Sequence, residues 1–216
     1  MRMKKTLLLV ATLANSFMLS GFAVAQSPAV TASNQIRRVK GHVLTSTYLP
    51  SIQIRFDGRL KYLGSQKFIL YGNAQVEQYF FVEADKQRRI RRMYWVQFEG
   101  YLPNINATYD YPLTEAVHLR GQAYIVNIES IASVSAVLKQ DSQSDAARAA
   151  SFLERKGYRL SESIIYQRFV RVVDEAKRNE FIVVYIEETG SDASLANEKA
   201  RQEFSSRALK GFTIVK

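Results

Sequence analysis

Apolar residues alternate with polar ones through most of the stretch from Ile52 to Ile128, and after Ser142 the spacing lengthens to that of a helix. A chain whose period changes in this way is limited to architectures in which hairpins are laid down first and helices are added to them afterwards. The alternation is specific enough to place strands. Ile52, Ile54 and Phe56 alternate with Gln53, Arg55 and Asp57, and Asp57-Gly58 then marks a turn, expected to be a hairpin. Leu60 to Tyr71 reads as the next strand, bent at Gly64 and closed by Gly72-Asn73. Val76, Gln78, Phe80 and Val82 share one face of a third strand, with Glu77, Tyr79, Phe81 and Glu83 opposite. Both faces are partly apolar, which predicts cover on each side.

Ile90 to Tyr101 carries Tyr94, Val96 and Phe98 on one face and Met93, Trp95, Gln97 and Glu99 on the other, with Pro103 ending the strand. A single strand is expected over Val117 to Ile128, with Val117, Leu119, Ala123 and Ile125 inward and His118, Arg120 and Gln122 outward. Ser142 to Lys156 has Ala146, Ala149, Ala150 and Leu153 at helical spacing, Asp141, Ser142 or Ser144 as cap, and Gly157 beyond the last turn. Phe169–Val173 and Phe181–Ile186 flank the charged turn 174–179. A second helix is expected from Asp192 to Lys210 with Gly211 as its stop, and Phe212 to Val215 as a final strand. The expected fold is α+β: a mostly antiparallel, curved sheet of about seven or eight strands packed on one side by two C-terminal helices.

The first residues address a different question, where the chain works. Met1-Arg2-Met3-Lys4-Lys5 is basic, the following residues are apolar, and Ala23-Val24-Ala25 supplies the small residues of a cleavage site before Gln26. Residues 1–25 are therefore expected to be a cleaved signal peptide, 26–41 a polar, flexible lead-in, and 42–216 a single domain. The apolar run is interrupted by Asn15, Ser16 and Ser20, so no membrane span is expected once the leader is removed. The chain has no cysteine, which excludes disulfides, thiol nucleophiles and Cys-ligated zinc. Together these features predict a bacterial periplasmic or secreted protein held together by its core alone. The formal charge of +10, less the three cations Arg2, Lys4 and Lys5, leaves a mature chain of +7. Such a balance suits anionic lipid surfaces or acidic envelope partners, and the expected compartment excludes nucleic acid.

Two groups of residues invite a functional reading. Met93, Trp95, Gln97 and Glu99, with Tyr101, Tyr109 and Tyr111 following in an aromatic loop, combine apolar walls with a few polar groups. That is the composition of a seat for a small amphipathic ligand. Lys86, Arg88, Arg89, Arg91 and Arg92 place five cations in seven residues between two strong strands. Their guanidinium forks suit phosphate groups, and as a hairpin tip they would equally discourage edge-to-edge pairing. Catalysis has less behind it. Only His42 and His118 are present, no metal-binding, nucleophile-elbow or phosphate-loop motif occurs, and no cofactor or catalytic residue is expected. Glu99 with Asp110 is the pair that a carboxylate-dependent hydrolase would use. The sequence thus predicts a binding protein, with surface docking through residues 86–92 and hydrolysis as the alternatives.

Overall fold

The computed structural model describes residues 36–111, 116–189 and 197–216. The expected signal peptide and most of the lead-in lie outside the described residues, as does the start of the expected second helix. Eleven strands are described: β1 (Arg37–Lys40), β2 (Val43–Thr47), β3 (Ser51–Phe56), β4 (Lys61–Leu70), β5 (Ala74–Ala84), β6 (Ile90–Tyr101), β7 (Ala116–Leu119), β8 (Gln122–Ile131), β9 (Ile164–Val172), β10 (Asn179–Glu188) and β11 (Phe212–Ile214). Three helices accompany them: α1 (Val134–Gln140), α2 (Asp145–Arg155) and α3 (Glu198–Lys210). The fold is α+β, built on a seven-stranded antiparallel sheet in the order β4-β5-β6-β10-β9-β8-β7.

The alternation within each strand decides which layer it feeds. Tyr79, Phe81, Tyr94, Val96, Phe98, Phe169, Phe181, Val183 and Tyr185 project from one face of the large sheet into a core shared with Leu44, Ile52, Ile54, Phe56, Phe212 and Ile214. Those last six belong to a second sheet of four strands, β1-β2-β3-β11, and Phe204 and Ala208 of α3 complete the layer. Phe80, Val82, Met93, Trp95, Ile182, Val184 and Ile186 project from the opposite face against Val134 of α1 and Ala149, Phe152 and Leu153 of α2. Both faces of β5 are therefore covered, as its two-sided apolar pattern predicts, and so are those of β6.

Four expectations differ from the structure. The helices do not share one side: α3 packs with the small sheet, where the Tyr94 hydroxyl donates to the Ala208 carbonyl at 2.7 Å. This close approach requires Gly211, because a Cβ there would collide with the Tyr94 ring. Asp57-Gly58 does not close a hairpin. The chain leaves one sheet there and enters the other, with Phe56 pairing across to Phe212 and Lys61 to Val82. The expected strand over Val117–Ile128 is a hairpin, β7–β8, because Arg120 and Gly121 both adopt positive φ (49° and 75°), the backbone of a tight primed turn. That turn reverses the inward phase, so Tyr124 rather than Ala123 is buried. Finally, Arg37–Lys40, inside the expected lead-in, form β1 against β2.

Candidate functional site

The helix-covered face of the large sheet changes character along its strands. Register places Phe80, Trp95 and Val184 in one row, Gln78, Gln97 and Ile182 in the next, and Val76, Glu99 and Glu180 in the row after. Glu99 and Glu180 are thus directly opposed across the two central strands. Directly opposed like charges repel, and here they do so away from bulk water, since Glu180 is only 4 % exposed and Glu99 is part-buried. A third carboxylate, Asp145 at the first turn of α2, joins them through Gln97.

Gln97 uses its whole side chain to knit the row together. Its Nε2 donates to Glu99 Oε2 at 2.6 Å and to Asp145 Oδ2 at 3.2 Å, while its Oε1 accepts from Gln78 Nε2 at 2.8 Å and Trp95 Nε1 at 3.1 Å. The irregular arm after β6 provides the cover. Tyr109 donates to Glu99 Oε1 at 2.9 Å, and Tyr111 donates to Glu180 Oε2 at 2.5 Å. Tyr101 stacks on Tyr109 with ring centroids 4.4 Å apart. The arm is pinned by Arg178, which donates to the carbonyls of Leu102, Ile105 and Ala107, and by the Tyr109 amide on the Lys177 carbonyl.

These surroundings hold protons on the acids. Burial, then the Asp145 charge, pushes Glu99 up to about 7; burial, then the Glu99 charge, pushes Glu180 up to about 8. Burial raises Asp145 as well. Two carboxyls facing each other in this way share protons rather than ionise independently. The cation that opposes them is Arg168 of β9, two rows away, whose Nε donates to Asn127 Oδ1 at 3.1 Å. Desolvation and the same carboxylates push the Tyr109 and Tyr111 hydroxyls far upward, so both stay protonated donors.

Of the seven residues expected to form a ligand seat, the structure brings five together: Gln97, Glu99, Tyr101, Tyr109 and Tyr111. Met93 and Trp95 are 1 % and 7 % exposed, packed into the core beneath α2, and do not form an open platform. The open space lies on the other side of the tyrosines. A groove of about 570 Å³ runs between Tyr109–Tyr111 and the β8–β9 strands, with Ile125, Val170 and Val172 as apolar lining and Asp174, Glu175 and Lys177 of the β9–β10 turn at its rim. Asp110 is on this rim too, bound to Lys177 at 2.9 Å with a largely exposed side chain, so it is not the acid partner of Glu99. That partner is Glu180, which a strand read as starting at Phe181 leaves out, although the alternation of Val184 and Ile182 extends back to it. Among the described residues no group of three His, Cys, Asp or Glu side chains is arranged to hold a metal ion.

The basic cluster forms the β5–β6 hairpin tip, and most of it is occupied. Arg91 bridges Asp85 at 2.8 Å and also binds Glu188, Arg89 lies 3.3 Å from Glu188, and Arg92 binds Glu83 at 2.6 Å. Arg88 lies over the Tyr158 ring at 5.7 Å, and Lys86 is exposed. Among the described residues only Lys86 and Arg88 of the five have no carboxylate within 4 Å. The others fasten the hairpin to Glu188 at the end of β10 and to Asp57.

No described helix is long and apolar enough to cross a membrane. No family model, no curated protein and no solved structure matches the chain.

Proposed function

We propose that this is an exported, periplasmic or secreted binding protein that takes a small amphipathic ligand, or an amphipathic group of an envelope component, in the groove beside Tyr109 and Tyr111. One observation carries the reading: the two tyrosines that wall the groove have their hydroxyls committed to Glu99 and Glu180. Their ring faces are thereby fixed as apolar wall, opposite the aliphatic lining of Ile125, Val170 and Val172. Apolar ligand surface gains by burial there, while Arg171, Lys177, Asp174 and Glu175 at the groove offer charge of both signs to orient a polar end. The address rests on the basic-then-apolar, signal-like sequence of Met1–Ala25 and the absence of cysteine.

Native mass spectrometry of the exported protein is expected to show a retained small molecule. Titration with 8-anilinonaphthalene-1-sulfonate is expected to give one saturable site, weakened at least about tenfold by Ile125→Glu. Unchanged affinity in that variant removes the groove as the seat. The opposed carboxyls support a second reading, acid–base hydrolysis with Glu180 in the place expected for Asp110, since one carboxyl can hold a proton while its neighbour is ionised. Turnover of chromogenic esters or glycosides that is lost in both Glu99→Gln and Glu180→Gln is its test. Turnover that persists in either variant ends it.

A further inference from the structure

We propose that the Glu99–Glu180 pair is a proton latch: on the acid side of neutrality it holds the Tyr109–Tyr111 arm shut against the sheet, and on the alkaline side it lets the arm go and so loosens the groove. This rests on the groove being the ligand seat, and it assigns that seat a pH-dependent regulation. The geometry starts from register. Glu180 and Glu99 are Cα partners on β10 and β6, with their side chains on one face and apolar Val76 and Val172 beside them in the same row. The charged and titratable groups packed against the pair come from every side. They are Asp145 of α2, Arg168 of β9, and Tyr101, Tyr109 and Tyr111 of the arm; further out, Asp141 with Tyr71 donating to it acts on Asp145, and Glu129 of β8, with Tyr166 donating to it at 2.8 Å, reaches Arg168 through Asn127. Carboxylates outnumber the cation, so each further ionisation adds repulsion that the site itself does not neutralise.

Something must admit water when the second carboxyl ionises, and the elements around it differ in how freely they move. β6 and β10 are interior strands, each laddered on both sides, so parting them breaks two sets of backbone hydrogen bonds. α2 is fixed by Ala149, Phe152 and Leu153 in the core. The arm carries no ladder. Arg178, the Tyr109 amide and the exposed Asp110–Lys177 pair fasten it as far as residue 110, and Tyr111 is attached to the acids through its hydroxyl on Glu180. The same residues form one wall of the groove, so releasing them changes the seat.

If the acids titrate normally once the arm has swung away, the ratio of closed to open arm falls by up to about tenfold per pH unit and per proton between the ordinary carboxyl range and the raised one. Hydrogen–deuterium exchange of the full chain, corrected for intrinsic rates, reads this without any ligand. Protection across residues 102–111 is expected to fall by about tenfold or more between about pH 6 and pH 9, while β6 and β10 stay protected. Glu180→Gln, which keeps an acceptor for Tyr111 but cannot ionise, is expected to flatten that dependence. Glu99→Gln does the same if Glu180→Gln is poorly folded. The emission of Trp95, joined to Glu99 through Gln97, is expected to titrate in the wild type and to stay constant in the variant. Protection that is flat with pH in the wild type, or equally steep in both Gln variants, overturns the latch. In parallel, 8-anilinonaphthalene-1-sulfonate is expected to bind more weakly at about pH 9 than at about pH 6 in the wild type alone. A latch seen by exchange with no dye bound at either pH overturns the groove reading, whereas dye binding that ignores pH overturns the regulation.

Discussion

Met93 and Trp95 lie on the same face of β6 as Gln97 and Glu99, yet the two halves of that face are built of different material. Beneath α2 the face is aliphatic and aromatic, with Phe80 stacked on Phe152 at 4.7 Å and Met93, Val184 and Ile186 filling the spaces around them. One row further, beneath the tyrosine arm, it consists of amides and carboxyls whose hydrogen bonds are supplied by Gln78, Trp95, Tyr109 and Tyr111. The lesson concerns cover: a helix laid on a sheet contributes methyl groups and rings, whereas an irregular arm can aim hydroxyls, so the polar row sits where the arm is. Gln97 is the hinge between the two regimes, with one end on the indole and the other on the acids.

The sharpest way to break the contrast is at its apolar side. Trp95→Ala should cost about 3–5 kcal/mol in denaturant unfolding, because it opens a cavity beneath α2 and removes one of the two donors to Gln97 Oε1. A loss well under 1 kcal/mol would mean that the helix is loosely seated. Gln97→Leu should cost about 2–3 kcal/mol, since Gln78, Trp95, Glu99 and Asp145 each lose a partner where little water reaches them.

Glu180→Gln probes the polar side by pH. The raised folded carboxyls hold protons that the unfolded chain has already released above its ordinary value of about 4.5. Wild-type stability should therefore fall as pH rises from about 5 to about 8 and then level off. The variant should fall less and be about 1–2 kcal/mol more stable than wild type near pH 8, as read from urea melts at each pH. A wild-type stability that climbs over that range would mean that the acids are ionised and well solvated. Smallest is Arg91→Ala at the hairpin tip. Its pairs with Asp85 and Glu188 are solvent-facing, so the urea midpoint should move least of the four, and less still in high salt.

The sequence was most legible where a pattern is local. The bounds of β6, its two faces, the bulge near Gly64 and the Ser144-capped helix α2 all follow from alternation, a glycine or a capping side chain. What lies over a strand is not local. Nothing near Trp95 says that Phe152 will cover it, so an indole beside polar residues looks like a platform when it is core. β1 and β2 are short and only half-apolar, and acquire their role from β3 beside them. Seven-residue α1 shows too little periodicity to register. Glu180 and Asp145 carry no mark of a site in the sequence, because each is ordinary in its own segment. They become a constellation with Glu99 only when strands far apart in sequence are laid side by side.

The pairing of Phe56 with Phe212 has a consequence for how the molecule assembles. The small sheet borrows its outermost strand from the far end of the chain, and the same terminal segment places Ala208 and Gly211 against Tyr94. Closing that long loop is slow compared with zipping the adjacent β4–β5–β6 hairpins, so the large sheet should form early with its inner aromatic face still bare. Until the tail docks, Tyr94, Phe98 and Tyr185 remain wet. Clipping the last strand should therefore leave a sticky, half-built intermediate rather than a slightly shortened native protein.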